Sequence, residues 1–204
     1  MSNQLNVLVA DDYPAIINGV IVEFKTEQNL KVVAVTQNVN EIEAKIIQYK
    51  IDILITDCWF RSVSYETFIK NLRLKYPLLK IIIYTQEERF FFVKDILPSI
   101  NGYVLKIEPE GVLMKAIQRV LQNKKAISED IRDSIDTDIY FNNSLSKQEN
   151  KILSYRISGI SNKLISDQIS ISEKTVRKHI DNARKKLGFH RTEEMMRWFW
   201  KGNK

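Results

Sequence analysis

The chain is poor in cysteine, in histidine and in long apolar runs, and each shortage removes a class of answers. Its one cysteine, Cys58, excludes an intramolecular disulfide and suits a reducing compartment. No apolar run approaches the roughly 20 residues a membrane helix needs. The start, Met1-Ser-Asn-Gln-Leu5, lacks the basic-then-apolar build of a signal peptide. These absences predict a soluble, cytoplasmic protein without a membrane partner. Two histidines, His179 and His190, cannot supply a histidine metal cluster. No internal repeat or low-complexity tract appears.

What is there divides unevenly. The net charge is +6 over 204 residues, a length for one or two domains. Residues 145–204 hold 14 Lys+Arg against 6 Asp+Glu, and residues 1–144 hold 17 against 19. A basic C-terminal third on a near-neutral body suits a polyanion partner for that third. Charge alone suits a solvated surface equally well.

Residues 1–124 alternate short apolar runs with helical periodicity. The runs are Asn6–Ala10, Lys31–Thr36, Ile53–Thr56, Ile81–Tyr84 and Tyr103–Leu105. Helices are expected over Pro14–Glu27, Val39–Tyr49, a segment around Phe68–Leu72 stopped by Pro77, Arg89–Ile96 and Val112–Leu121. Continuous apolar strands between helices predict a parallel, doubly wound α/β sheet with helices on both faces. Residues 125–144, with acids Glu129, Asp130, Asp133, Asp136 and Asp138, read as a linker with one short helix. From 145 to 204 the chain reads as four helices, so the fold class is α/β plus all-α. Ser146-Lys-Gln-Glu149 fits a capping box. Ser172 caps a helix over Glu173–Leu187, and a last helix spans Thr192–Trp200.

The strand ends carry the chemistry. Asp11-Asp12, Asp57, Thr85 and Lys106 each follow an apolar run, at the edge where open α/β sheets bind ligands. Three crowded carboxylates call for a cation, and Mg²⁺ suits oxygen ligands. A carboxylate beside Mg²⁺ can attack phosphorus and form an aspartyl phosphate. Lys106 could then pair with one phosphoryl oxygen and the Thr85 hydroxyl donate to another. Taken singly, each residue is ordinary: a turn-capping Asp, a β-branched strand residue, a surface Lys. The full set in this order is not.

Residues 5–122, on Asp11-Asp12, Asp57, Thr85 and Lys106, resemble response-regulator receiver domains. The resemblance implies a regulator rather than an enzyme, with Asp57 accepting phosphate from a histidine kinase. It implies that Asp11, Asp12 and Asp57 hold Mg²⁺, that Thr85 moves toward the phosphate, and that Tyr103 turns inward as readout. Asp11-Asp-Tyr-Pro14 resembles the start of the receivers that carry a C-terminal helix-turn-helix. Cys58-Trp59-Phe60-Arg61 departs from the family, which has an apolar residue, a variable one, Met and Pro there. Gln86 stands where a small residue is common. Trp59 and Gln86 are expected to screen the site from water and slow dephosphorylation.

On Glu173–Leu187, Val176, Ile180, Ala183 and Leu187 recur on one side, leaving Lys174, Arg177, Lys178, Asp181 and Lys185 facing out. Leu145-Ser-Lys-Gln-Glu149, Gly159–Lys163, Ile171–Val176, His179 and Lys186-Leu-Gly188 resemble the LuxR/NarL-type helix-turn-helix over residues 145–200. That resemblance implies a transcription factor on double-stranded DNA. Arg177, Lys178 and Asp181 lie where the family touches base edges; Lys174, Thr175 and His179 lie nearer the phosphates. Half-sites a helical turn apart imply a homodimer. The alternative is a phosphorylation-independent regulator whose receiver serves dimerisation or partner binding. Trp198, Phe199 and Trp200 cannot all face inward; some should close the small core and leave one ring outside.

Overall fold

The computed structural model describes residues 4–58, 65–87, 95–132 and 144–201. The expected helix over Arg89–Ile96, the Trp59–Ser64 part of the departing segment and the linker acids Asp133, Asp136 and Asp138 lie mainly or wholly outside them. Among the described residues the chain forms two compact units, one up to residue 128 and one from residue 129.

The first unit runs β1 Leu5–Ala10, α1 Pro14–Phe24, β2 Leu30–Thr36, α2 Val39–Tyr49, β3 Ile53–Thr56, α3 Tyr65–Lys75, β4 Lys80–Thr85, β5 Gly102–Leu105, α4 Val112–Leu121 and β6 Ala126–Ile127. Its strands pair in parallel in the order β2-β1-β3-β4-β5-β6. Side chains alternate between the faces of a strand. Val7, Val9, Ile53, Ile55, Ile82 and Val104 form one core with Ile17, Val20 and Phe24 of α1 and Leu113, Ile117 and Val120 of α4. Leu8, Leu54, Ile81, Ile83 and Leu105 alternate to the other face and are also buried. So are Ile42 and Ile46 of α2 and Ile69 and Leu72 of α3. A strand buried on both sides has no polar alternation, which is why these runs read as continuous.

Two local findings differ from the expectations. The first helix stops at Phe24 rather than Glu27. Ala126–Ile127, placed in the linker from the sequence, form a sixth strand against Gly102 and Tyr103. Ser128 extends that contact: its N–H donates to Tyr103 O (2.8 Å) and its hydroxyl accepts from Leu105 N (3.0 Å).

The second unit runs α5 Lys147–Ile157, α6 Asn162–Ile169, α7 Glu173–Lys186 and α8 Thr192–Lys201. Its core gathers Ile152, Leu153, Ile165, Val176, Ile180, Ala183, Met195 and Met196. Ser161 and Ser172 cap α6 and α7, accepting from Leu164 N and Thr175 N. Between these helices Ser170 turns into the left-handed region at φ 55°, and three residues join one helix to the next. Gly159 (φ 85°) and Gly188 (φ 79°) end α5 and α7 in the conformation that glycine adopts without strain. Trp198 and Phe199 are half-buried, and the more exposed Trp200 donates its Nε1–H to Ile157 O at 2.8 Å.

Glu149 anchors the second unit. Its carboxylate accepts from Ser146 N (2.8 Å) in the capping box and pairs with Lys186 (2.7 Å) at the end of α7. Burial opposes the charged form, but Lys186 and the Ser146 bonds outweigh it and hold the carboxyl below its ordinary value. A depressed carboxyl stabilises above its unfolded pKa, and that contribution fades as pH falls through the lower folded one. At neutral pH, Glu149→Ala should cost the second unit about 1–3 kcal/mol, from a lost cap and an unpaired buried end. Glu149→Gln, which can still cap, should cost less. Urea unfolding checks both, and equal stability of Glu149→Ala and wild type would refute the assignment.

Candidate functional site: an acidic pocket and a basic helix

Parallel register brings four chain segments to one edge of the sheet. Asp57 N donates to Ala10 O (3.0 Å), which seats the end of β3 beside the end of β1. Lys106 N donates to Thr85 O (2.7 Å), which seats the end of β5 beside the end of β4. Asp11 follows β1, and its Oδ1 accepts from Tyr13 N at 2.9 Å, turning the chain into α1. Pro14 at the first turn of α1 fits because no amide proton is needed there.

The side chains converge accordingly. Asp11, Asp12 and Asp57 each offer a carboxylate oxygen within 4.8 Å of the others. The Lys106 ammonium, its side chain 4% exposed, lies 2.6 Å from both Asp11 Oδ2 and Asp57 Oδ2. Thr85 Oγ1 donates to the other oxygen, Asp57 Oδ1, at 2.6 Å. Both carboxylate oxygens of Asp57 are thus oriented by protein donors. Burial raises the Asp11 carboxyl above its ordinary value, against the pull of Lys106 and the Tyr13 N–H. Burial also works against the Lys106 ammonium, but its bonds to Asp11 and Asp57 prevail and its pKa is raised.

The donor set fits a hard divalent cation. Three carboxylates face one point, and Asp12 Oδ1 is buried with no hydrogen-bond partner among the described residues. A buried oxygen without a donor is costly unless something binds it.

Around this pocket lie groups that sequence reasoning did not single out as partners. Cys58 Sγ sits 3.0 Å from Thr85 Oγ1. Glu87 N donates to Thr85 Oγ1 (3.3 Å), and Glu87 O accepts from the Tyr103 hydroxyl (2.7 Å). Tyr103 is fully buried and points inward. Tyr65 of α3 donates to Thr56 Oγ1 at 2.8 Å, behind the pocket. No spacing rule marks such contacts; a buried polar residue next to a strand end is the nearest signal. Gln86 is exposed, and Trp59 falls outside the described residues.

On α7, Lys174, Arg177 and Lys178 are exposed as the periodicity predicts, with Arg177 paired to Glu173 at 2.6 Å. Thr175 shares a 2.7 Å hydroxyl contact with Ser172 at the helix start. His179 is half-buried, and its Nδ1 has no partner among the described residues. Asp181 is engaged from two sides, by Arg184 (2.7 Å) and Lys185 (2.8 Å), whose bonds hold its carboxyl below the usual range. Arg184 also donates to Phe189 O and His190 O. It braces the turn after α7.

Among known proteins, residues 7–118 match the response regulator receiver domain, and residues 143–199 match the bacterial regulatory proteins of the luxR family. A nitrate/nitrite response regulator protein homolog of Haemophilus influenzae is 29% identical over 194 residues, 93% of each chain. The fimbriae Z protein of Escherichia coli is 26% identical over 197 residues, 94% of each. The fold is that of RcsB from Salmonella enterica serovar Typhimurium, solved on a promoter with the phosphomimetic BeF₃⁻: TM-score 0.74, 24% identity, covering 96% of this chain and 98% of that one. With the acidic pocket in one unit and the capped helix pair in the other, the chain belongs to the response regulators, as a receiver domain followed by a luxR-family DNA-binding domain.

Proposed function

We propose that Asp57 is the phosphoacceptor of a two-component transcription factor whose α7 reads the major groove of double-stranded DNA as a homodimer. The receiver is taken as residues 1–124 and the DNA-binding domain as 145–204. The observation that carries this reading is the pair of donors on Asp57: Thr85 on one carboxylate oxygen, Lys106 on the other.

A histidine kinase would supply the phosphoryl group. An Asp57 oxygen forms the new bond to phosphorus while the P–N bond of the phosphohistidine breaks and its electron pair leaves with the imidazole. The charge on the phosphoryl oxygens then needs donors already in position. Lys106 supplies an ammonium it already presents to Asp57, and Thr85 supplies its hydroxyl by turning from Asp57 Oδ1. Asp11, Asp12 and Asp57 would hold Mg²⁺, which when bound offsets negative charge on the transferring group. As Thr85 follows the phosphate, Tyr103 and the Glu87 backbone register the move, and the receiver shifts between two states. The reducing compartment suited to a single cysteine supports a cytoplasmic location. Among the described residues, no helix is long and apolar enough to cross a membrane.

On DNA, Arg177 and Lys178 would reach base edges, with Lys174, Thr175 and His179 toward the phosphates. Asp181 would have to leave Lys185 before it could accept from a cytosine amino group. RcsB, of the same fold, is seen as dimers bound to DNA, which supports a two-fold complex here with half-sites about 34–36 Å apart.

Two measurements test this. Incubation with Mg²⁺ and acetyl phosphate should add about 80 Da, one phosphoryl group, and Asp57→Asn should abolish the gain. No gain from either acetyl phosphate or a phosphorylated kinase would instead favour the phosphorylation-independent alternative. DNA affinity should fall steeply with salt. Lys174→Ala should weaken binding on all sequences, whereas Arg177→Ala should cost about 1–3 kcal/mol on selected sites only. Equal losses on every sequence from Arg177→Ala would remove it from base readout.

A further inference from the structure

Cys58 takes no part in the phosphoryl transfer just described, yet its thiol meets a switch side chain. Its Sγ is 3.0 Å from Thr85 Oγ1. Counting protons fixes the direction of this contact. Thr85 has one hydroxyl proton and gives it to Asp57 Oδ1, which in its ionised form can only accept. Tyr103 also has one and gives it to Glu87 O. The Thr85 oxygen facing the thiol is left as an acceptor, and the S–H is the donor that serves it. Glu87 ties the two side chains from the other side, its N–H on Thr85 and its carbonyl under Tyr103.

We propose that Cys58 is a positioning residue whose thiol, donating to Thr85 Oγ1, holds Thr85, and through Glu87 the Tyr103 side chain, in the phosphate-ready arrangement before phosphate arrives. An apolar side chain would fill the same space and leave the Thr85 oxygen without that donor. The purpose of the arrangement rests on Asp57 being the phosphoacceptor; its existence in the unmodified protein does not.

The test follows exchange of the Glu87 amide, which donates to Thr85 Oγ1, in the full-length unmodified protein by nuclear magnetic resonance. Cys58→Ala removes the donor, and Cys58→Ser restores one at the same point. Wild type and Cys58→Ser should exchange slowly, with Cys58→Ala about two- to fivefold faster, the size of one weak S–H···O bond. Added BeF₃⁻ with Mg²⁺ should return Cys58→Ala to the wild-type rate, because the bound group then holds Thr85. Equal shifts in the alanine and serine variants would mean that only volume matters and would overturn the proposal, as would no shift in either. Failure of BeF₃⁻ with Mg²⁺ to slow exchange in Cys58→Ala would count against Asp57 as phosphoacceptor. The three unmodified proteins would still decide the role of Cys58.

Discussion

Lys106 is the constraint on which the receiver's chemistry depends. Two like charges about 4 Å apart at an effective dielectric of 20 repel by about 4 kcal/mol. Three carboxylates within 4.8 Å therefore need a cation. The chain supplies one, an ammonium 2.6 Å from Asp11 and Asp57 at the end of β5. It reaches them because the Lys106 amide is held to Thr85 O and the Asp57 amide to Ala10 O. A slip of one residue in either pairing would turn the side chains to the opposite face. The buried apolar strands fix the register, and the register fixes the charge balance.

That balance leaves Asp57 with both oxygens oriented, one by a charge and one by a hydroxyl. From the hydroxyl the bonds continue through Glu87 N, Glu87 O and the Tyr103 side chain. The backbone carbonyl of Tyr103 then accepts from Ser128 N, just past β6. Tyr103, whose side chain points inward, thus also holds the edge of the sheet. Glu87 bonds Thr85 through one of its peptide units and Tyr103 through the other, so the two side chains share one backbone link.

How much of this was legible follows from what each residue's signal consists of. The five long strands and their terminal Asp, Thr and Lys were legible because parallel strands have no alternation to hide behind and end where polar groups become useful. β6 was not: two residues, Ala126 and Ile127, carry no period. The bonds of Cys58, Glu87 and Tyr65 were not, since a polar residue near a strand end has several partners in reach and packing chooses among them. Asp181 shows the same limit on a helix. Its spacing offers Arg177, Lys178, Arg184 and Lys185, all three or four residues away. The fold selects Lys185 and Arg184, and Arg184 also braces Phe189 and His190.

The same selection separates firmly bound from loosely held charges along α7. Arg184 is mostly buried, bonded to a carboxylate and two backbone carbonyls, and could leave only by undoing the turn after the helix. Arg177 makes an exposed pair with Glu173, in high dielectric, where such pairs contribute little. A guanidinium so loosely held can exchange Glu173 for a guanine edge at small cost. Lys174 and Lys178 are exposed on the same helix. The helix thus keeps its fixed charges toward its own core and turn, and presents those that a polyanion can take over. Charge count alone could not make that distinction, because Arg184 and Arg177 count equally in the sequence and differ only in what the fold has already bound.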